Sequence, residues 1–394
     1  MAAYKIKRIN NIAKAGLRQF NEQFMVSAEE EQPDGIVLRS SPLNVDDYPS
    51  LLVVARAGAG TNNINVDRAT EKGICVLNTP GANANAVVDL IFPMIGVWRR
   101  KIYLGIEFCK SLSTLPADQV NREVEARKAA FRGEELAGKT LAVIGLGQIG
   151  VRLANGGVFR HMEVKGYDPA PAMANVHQLS PKARICRSLR DAVGDADVVS
   201  LHLPLNEQTR NLVNDEFIAR MKRGALLVNY SRGPIVDEEA VLRALDSSYL
   251  EAYLCDFPSP ALVRHARVLT TPHLGASTSE SEENCASMAV RELIGYLKYG
   301  NIVHSVNFPN VESTPADQIH TRLIVINRDV PGMIAFVTNV FGAHQVNIAS
   351  YLNRSNGQVG YNIIDVESVV PAAVVKEIAQ NEDVIRTRVI NFKE

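Results

Sequence analysis

Several protein classes are ruled out by what this sequence has little of. Five cysteines (Cys75, Cys109, Cys186, Cys255 and Cys285) are scattered without CxxC spacing, and the eight histidines show no ligand spacing. Neither a disulfide framework nor a structural metal is expected, and free thiols fit a reducing compartment. There is no long basic block, and the formal net charge is −1, so nucleic acid and an anionic membrane surface are poor partners. The most apolar stretch, Val87 to Trp98, is interrupted by Asp89 and Pro93 and is too short to span a bilayer. The first residues, MAAYKIKRIN, lack the apolar core of a signal peptide, and a cytoplasmic location is expected. What is present is a hydrophobic fraction of 46% over 394 residues, enough for two or three cored domains.

The most informative stretch is Leu141 to Gly150, LAVIGLGQIG. An apolar run predicts a buried strand. It breaks into Gly145-x-Gly147-x-x-Gly150 and continues as a helix. The first glycine permits a tight turn, the second lets backbone approach a pyrophosphate, and the third lets helix and strand pack closely. Phosphates would sit at a helix N-terminus, where unpaired N–H groups favour negative charge. A second strand, Val164 to Tyr167, ends at Asp168, placed to accept from an adenosine ribose hydroxyl and to repel a 2′-phosphate. NAD is the expected cofactor. The helix after Gly150 contains Asn155-Gly156-Gly157, a poor run for a helix interior, and is expected to end early or distort there.

Upstream, three apolar runs end in polar or glycine-bearing loops: Gly35–Leu38 before Arg39-Ser40, Leu51–Ala55 before Arg56, and Ile74–Leu77 before Asn78. Open α/β sheets bind ligands at that edge, and two arginines there point to an anionic substrate. Residues 85–101 read as a long helix carrying Pro93, and residues 118–132 as a charged amphipathic segment. Further strands precede Tyr230-Ser231-Arg232, Asp256 and Pro272-His273. A helix over residues 278–299 can return to the first domain. After a polar linker, the order strand, helix, two strands, helix, strand predicts a small ferredoxin-like α+β module.

Arg232 and His273 thus lie at strand ends of the nucleotide-binding domain. Hydride exchange between a secondary alcohol and NAD needs one group to hold the substrate and polarise its carbon–oxygen bond, and another to exchange the hydroxyl proton. A guanidinium suits the first task and an imidazole the second.

These motifs, with RAGAGTNNINVDRATEKGI, NYSRGPIVDEEAV, TPHLGAST and VNFP, resemble the D-2-hydroxyacid dehydrogenases over essentially the full length. NRDVPGM and VNIASYLNRS near the end resemble an ACT domain. The resemblance implies a Rossmann-like NAD-binding domain (residues 91–283) inserted in a flavodoxin-like substrate domain (1–90 and 284–308). A linker (309–320) and a ferredoxin-like ACT domain (321–394) follow. It implies Arg232 and His273 as catalytic residues. Cofactor contacts are implied at Gly145, Gly147, Gln148, Ile149, Gly150, Asp168, Leu203, Pro204, Tyr230, Ser231, Arg232, Asp256, His273, Gly275 and Ala276. Substrate contacts are implied at Arg39, Ser40, Arg56 and Arg232. The implied substrate is a phosphorylated 2-hydroxy acid, the implied assembly a homodimer or homotetramer. Serine is an expected effector, with Asn347 and Asp329 at the positions of two contacting asparagines; a carboxylate at Asp329 loses an amide donor. One departure stands out. The family pairs its histidine with a glutamate, but Asp256-Phe-Pro-Ser-Pro260 has none, so the acid partner of His273 is unassigned. A glyoxylate or hydroxypyruvate reductase shares the pattern, as does an NAD-sensing corepressor.

Overall fold

A computed structural model describes residues 4–393. Two compact units emerge, one from Met1–Asn83 with Ser279–Glu394, the other from Ala84–Thr278. Among the described residues, no helix is long and apolar enough to cross a membrane.

The first unit begins with β1 (Tyr4–Arg8), β2 (Phe24–Ser27), β3 (Gly35–Leu38), β4 (Val53–Arg56) and β5 (Cys75–Leu77), all parallel in the order β2-β1-β3-β4-β5. This is the flavodoxin-like order, whose ligands lie at the carboxyl ends of the strands. β3 and β5 are buried throughout, which is why they read as continuous apolar runs instead of alternating patterns. β1, with the sequence YKIKR, buries only Ile6 fully and carries no such run.

The second unit holds β6 (Thr140–Ile144), β7 (Glu163–Tyr167), β8 (Arg184–Ile185), β9 (Val198–Leu201), β10 (Ala225–Asn229), β11 (Leu250–Cys255) and β12 (Val268–Thr270). They form one parallel sheet, β12-β11-β10-β9-β6-β7-β8. Counted from β6, this is the doubly wound dinucleotide-binding order, with one strand added, and it reverses between β6 and β9. The expected break at Asn155-Gly156-Gly157 does not occur: the helix runs unbroken over Gln148–Phe159. Both glycines serve packing instead. A Cβ on Gly156 would lie 2.6 Å from the Phe92 ring, and one on Gly157 would lie 2.8 Å from Leu141. Close approach of neighbouring elements here outweighs the poor helix propensity of glycine, about 1 kcal/mol per residue. Two further helices, Ile102–Ser111 and Ala117–Arg127, bury none of their residues.

The return helix, Ser279–Tyr299, packs Ala286, Ala289, Val290, Leu293 and Leu297 into the core of the first unit. β13 (Thr321–Arg328), β14 (Ser350–Ser355), β15 (Val359–Val366) and β16 (Val384–Asn391) then form an antiparallel sheet, β14-β15-β13-β16. With helices Met333–Ala343 and Ala372–Ala379 this is a ferredoxin-like βαββαβ arrangement. One sheet face, with Leu323, Val325, Ile364 and Val366, packs against those helices. The other, with Ile324, Ile326, Tyr361 and Ile363, shares a core with Tyr296, Leu297 and the first sheet. β15 is therefore buried along its whole length. Polar ties reinforce the join. Arg322, fully buried, donates to both Asp365 oxygens at 2.6 and 2.9 Å and to the Tyr299 carbonyl at 2.7 Å. Arg386 donates to the Leu51 carbonyl at 2.6 Å, Arg388 to that of Tyr296 at 2.9 Å, and the Tyr361 hydroxyl to that of Gly300 at 2.8 Å.

Candidate functional site

The glycine turn follows β6 at the point where strand order reverses. Gly145 has φ +97°, and a Cβ there would meet the His202 carbonyl at 2.3 Å; a Cβ on Gly150 would lie 1.9 Å from the Gly145 carbonyl. The protein's own backbone thus requires these two glycines. Gly147 differs: a Cβ there would meet nothing within 4 Å. It is the N-cap of the helix Gln148–Phe159, and no side chain caps that end. Open space over an uncapped helix N-terminus, beside a residue with no side chain, fits a pyrophosphate. Asp168 accepts from the amides of Leu146 (2.8 Å) and Ala170 (2.9 Å), which pin its carboxylate beside the turn. Gln148 is held by Asn175 at 2.7 Å and Arg152 at 2.8 Å, and Ile149 packs into the core beneath. His202 was not anticipated. Its Nε2 lies 2.8 Å from Ser200 Oγ, and burial pushes its pKa down to about 3, so it adds no positive charge beside the turn. Leu203 lies against Gly145, and Pro204 is exposed next to it.

The carboxyl ends of β9 and β10 are stitched by Ser231, whose hydroxyl donates to the Leu201 carbonyl and accepts from the Leu203 amide at 3.3 Å. Asn229, fully buried, accepts from the Ser231 amide at 3.1 Å and donates to the Arg232 carbonyl at 2.9 Å. The Tyr230 ring points into the core, where burial raises its hydroxyl pKa. The loop so fixed carries Arg232 half-buried, its Nη1 donating to the Ser231 carbonyl at 2.6 Å. Burial pulls this guanidinium below its ordinary pKa, and among the described residues no carboxylate pairs with it. A partly desolvated charge without a counter-charge is unfavourable unless a ligand supplies one.

The next loop along the edge is organised by Asp256. Its Oδ1 accepts from the Leu274 amide (2.7 Å) and the Thr271 hydroxyl (2.5 Å), and its Oδ2 from the Gly275 amide (2.7 Å). Only 1% exposed, this carboxylate shapes the loop. His273 sits within it at φ +57°, with an exposed ring. No hydrogen bond or ion pair from that ring to a carboxylate is present among the described residues. The ring meets Phe257 edge-on, with centroids 5.3 Å apart. The segment after Asp256 therefore places an aromatic ring beside the imidazole. Gly275 is buried against Asp256, and Ala276 follows it half-buried.

In the first unit, Arg39 and Ser40 follow β3, and Arg56 ends β4. Arg56 Nε donates to the Arg39 carbonyl at 3.0 Å, and its guanidinium fills the space a Cβ on Gly58 would need. Asn10, also not anticipated, accepts from the amides of Arg39, Ser40 and Ser41 at 3.3, 3.3 and 3.1 Å. Arg39 Nη1 lies 2.6 Å from Glu282 on the return helix. In the C-terminal sheet, Asp329 accepts from Ser355 at 2.5 Å, and Asn347 is exposed.

Comparison with known proteins gives a family description, D-isomer specific 2-hydroxyacid dehydrogenase, NAD binding domain, matching residues 102–275. The chain is 31% identical over 360 residues to D-3-phosphoglycerate dehydrogenase of Haemophilus influenzae, covering 88% of this chain and 83% of that one. It is 34% identical over 323 residues to the Escherichia coli enzyme of the same name, covering 78% and 73%. Among solved structures, NAD+-bound 3-phosphoglycerate dehydrogenase of Entamoeba histolytica shares the fold, with a TM-score of 0.62 at 24% identity over 78% of this chain and 99% of that one.

Proposed function

The chain belongs to the D-isomer specific 2-hydroxyacid dehydrogenases, and on that premise we propose that it oxidises 3-phospho-D-glycerate to 3-phosphohydroxypyruvate, the first step of serine synthesis. The observation that carries this reading is Arg232: a half-buried guanidinium with no carboxylate partner among the described residues, one loop from an exposed histidine, at the ligand-binding edge of an NAD-type sheet.

Bound NAD supplies the acceptor for the hydride that leaves C2 of the substrate. Arg232 holds the substrate carboxylate and polarises the C2–oxygen bond. His273 takes the hydroxyl proton as the C2–O double bond forms, and in the reverse direction returns it. Gly145, Gly147, Gly150 and the first turn of the helix Gln148–Phe159 hold the pyrophosphate. Asp168 accepts from the adenosine ribose and disfavours a 2′-phosphate. Leu203, Pro204, Ser231 and the loop His273–Ala276, anchored by Asp256, form the wall around the nicotinamide half. Arg39, Ser40 and Arg56 receive the remaining anionic group.

NADH loss with phosphohydroxypyruvate and with hydroxypyruvate tests the reading. A higher kcat/KM for the phosphorylated acid is expected, and a preference for hydroxypyruvate or glyoxylate would replace it with a simple reductase. His273→Gln should lower kcat by roughly 10²–10⁴-fold. The same assay with serine reads the C-terminal sheet, where resemblance supports an amino-acid effector near Asp329 and Asn347; unchanged rates at saturating serine remove that part. A homodimer or homotetramer is supported by the helices Ile102–Ser111 and Ala117–Arg127. They expose Ile102, Leu104 and Ile106 beside an apolar groove of about 450 Å³. A monomer in sedimentation equilibrium would contradict it. Five unpaired cysteines support a cytoplasmic location.

A further inference from the structure

Arg39, read above as a contact for the substrate's second anionic group, already has a carboxylate partner in its own unit. Its Nη1 lies 2.6 Å from Glu282 Oε1, with the two side chains 33% and 43% exposed. Both ends of the pair are held in place independently of each other. The Arg39 backbone is fixed by Asn10 through its amide and by Arg56 through its carbonyl. Glu282 stands in the first turn of the long return helix, where the positive end of the helix dipole favours a carboxylate. The contact therefore pre-exists any ligand.

We propose that Glu282 sets the specificity of the anion site by occupying Arg39 between turnovers. A ligand that uses Arg39 must first displace the glutamate, and the displaced carboxylate remains close enough to repel it. A ligand that does not reach Arg39 meets no such penalty. Glu282 thus weakens binding of the phosphorylated acid selectively and leaves the unphosphorylated acid unaffected. Because the pair is partly exposed, its contribution is modest, and it yields readily to a phosphate, which brings more charge and more acceptor oxygens than a carboxylate. The inference rests on the proposed reading of Arg39 as a substrate contact, and the test separates the two.

The test uses the full-length wild type, Glu282→Gln, Arg39→Gln and the double variant. Glutamine keeps the shape of the side chain and removes its charge. Kinetics first: Glu282→Gln should lower KM for phosphohydroxypyruvate about three- to tenfold. KM for hydroxypyruvate should stay within about twofold, and the KM effect should exceed that on kcat. In the Arg39→Gln background the second substitution should change neither constant, so the cycle assigns the effect to the pair. The second readout needs no substrate: the inorganic phosphate concentration giving half the maximal rise in Tm should fall by a similar factor in Glu282→Gln. If wild type turns over phosphohydroxypyruvate but Glu282→Gln has the same KM ratio and the same phosphate response, the role of Glu282 is overturned and the activity stands. If wild type prefers hydroxypyruvate, the activity is revised; a gain of phosphate affinity in Glu282→Gln would still support the role, and no gain would end it.

Discussion

Among the three glycines of the turn, Gly147 is the one whose side-chain absence no neighbouring atom requires. Its two companions are demanded by backbone carbonyls 2.3 and 1.9 Å from where their Cβ atoms would stand, whereas a Cβ on Gly147 enters empty space. Its φ of −76° suits alanine as well as glycine. Gly147→Ala should therefore fold with stability within about 1 kcal/mol of wild type, the difference reflecting N-cap preference. The same change should weaken NADH binding by at least about tenfold, because the methyl group intrudes on the pyrophosphate. Thermal melting together with fluorescence titration of NADH checks this, and equal affinity in both proteins would show that the turn does not cradle the cofactor. Asp256 and Asn229 act in the opposite sense. They touch no reacting atom in this reading, yet each is buried and holds a loop, that of His273 for Asp256 and that of Arg232 for Asn229. The position of Arg232 and His273 just after apolar strands is legible in the sequence. The packing role of Phe257 is not legible there, because it depends on how the loop after Asp256 folds back.

Among the elements, the return helix Ser279–Tyr299 carries a pH dependence. Glu292, 8% exposed, has its Oε1 2.7 Å from His304 Nδ1, while its buried Oε2 has no hydrogen-bond partner among the described residues. Burial raises its pKa from 4.5 to about 7, offset in part by His304 and Arg291. The folded chain thus keeps a proton that the unfolded chain releases between about pH 4.5 and 7. Stability from this group is full at the acid end and is lost as pH rises through that window. Glu292→Gln, neutral throughout, should melt roughly 2–6 °C above wild type at pH 8, with the gap narrowing towards pH 5. A pH-independent gap in differential scanning fluorimetry would rule this out. Strand positions were legible where both faces are covered, as in β3, β5, β6, β9 and β10, because burial on two sides writes an unbroken apolar run. β1 and β2 escaped that reading: YKIKR buries one side chain fully and FMVS is short. The length of the helix after the glycine turn is not legible from propensity alone, because it depends on the neighbours that press against Gly156 and Gly157.

At the scale of the whole molecule, the C-terminal sheet is part of the first unit's core. The polar linker suggested a separate body, but β15 reads VGYNIIDV and is buried on both faces, a pattern an isolated one-sided sheet would not need. The Arg322–Asp365 pair is the sharpest test. Asp365→Ala strands a fully buried guanidinium and should destabilise by about 3–5 kcal/mol, whereas Arg322→Met with Asp365→Leu should be far milder. Hydrogen exchange should show the first sheet and residues 321–393 opening together in Asp365→Ala. Opening of the C-terminal sheet alone would mean that the shared core contributes little.

That join bears on how the tail could be exchanged between proteins. Residues 321–393 donate hydrogen bonds to the carbonyls of Leu51, Tyr296, Tyr299 and Gly300, none of which they carry with them. Transplanted onto another dehydrogenase, the segment would arrive with arginines reaching for absent acceptors and an oily underside facing water. A working chimaera would have to bring the far half of the return helix along, which makes that helix, and not the linker, the natural seam for recombination.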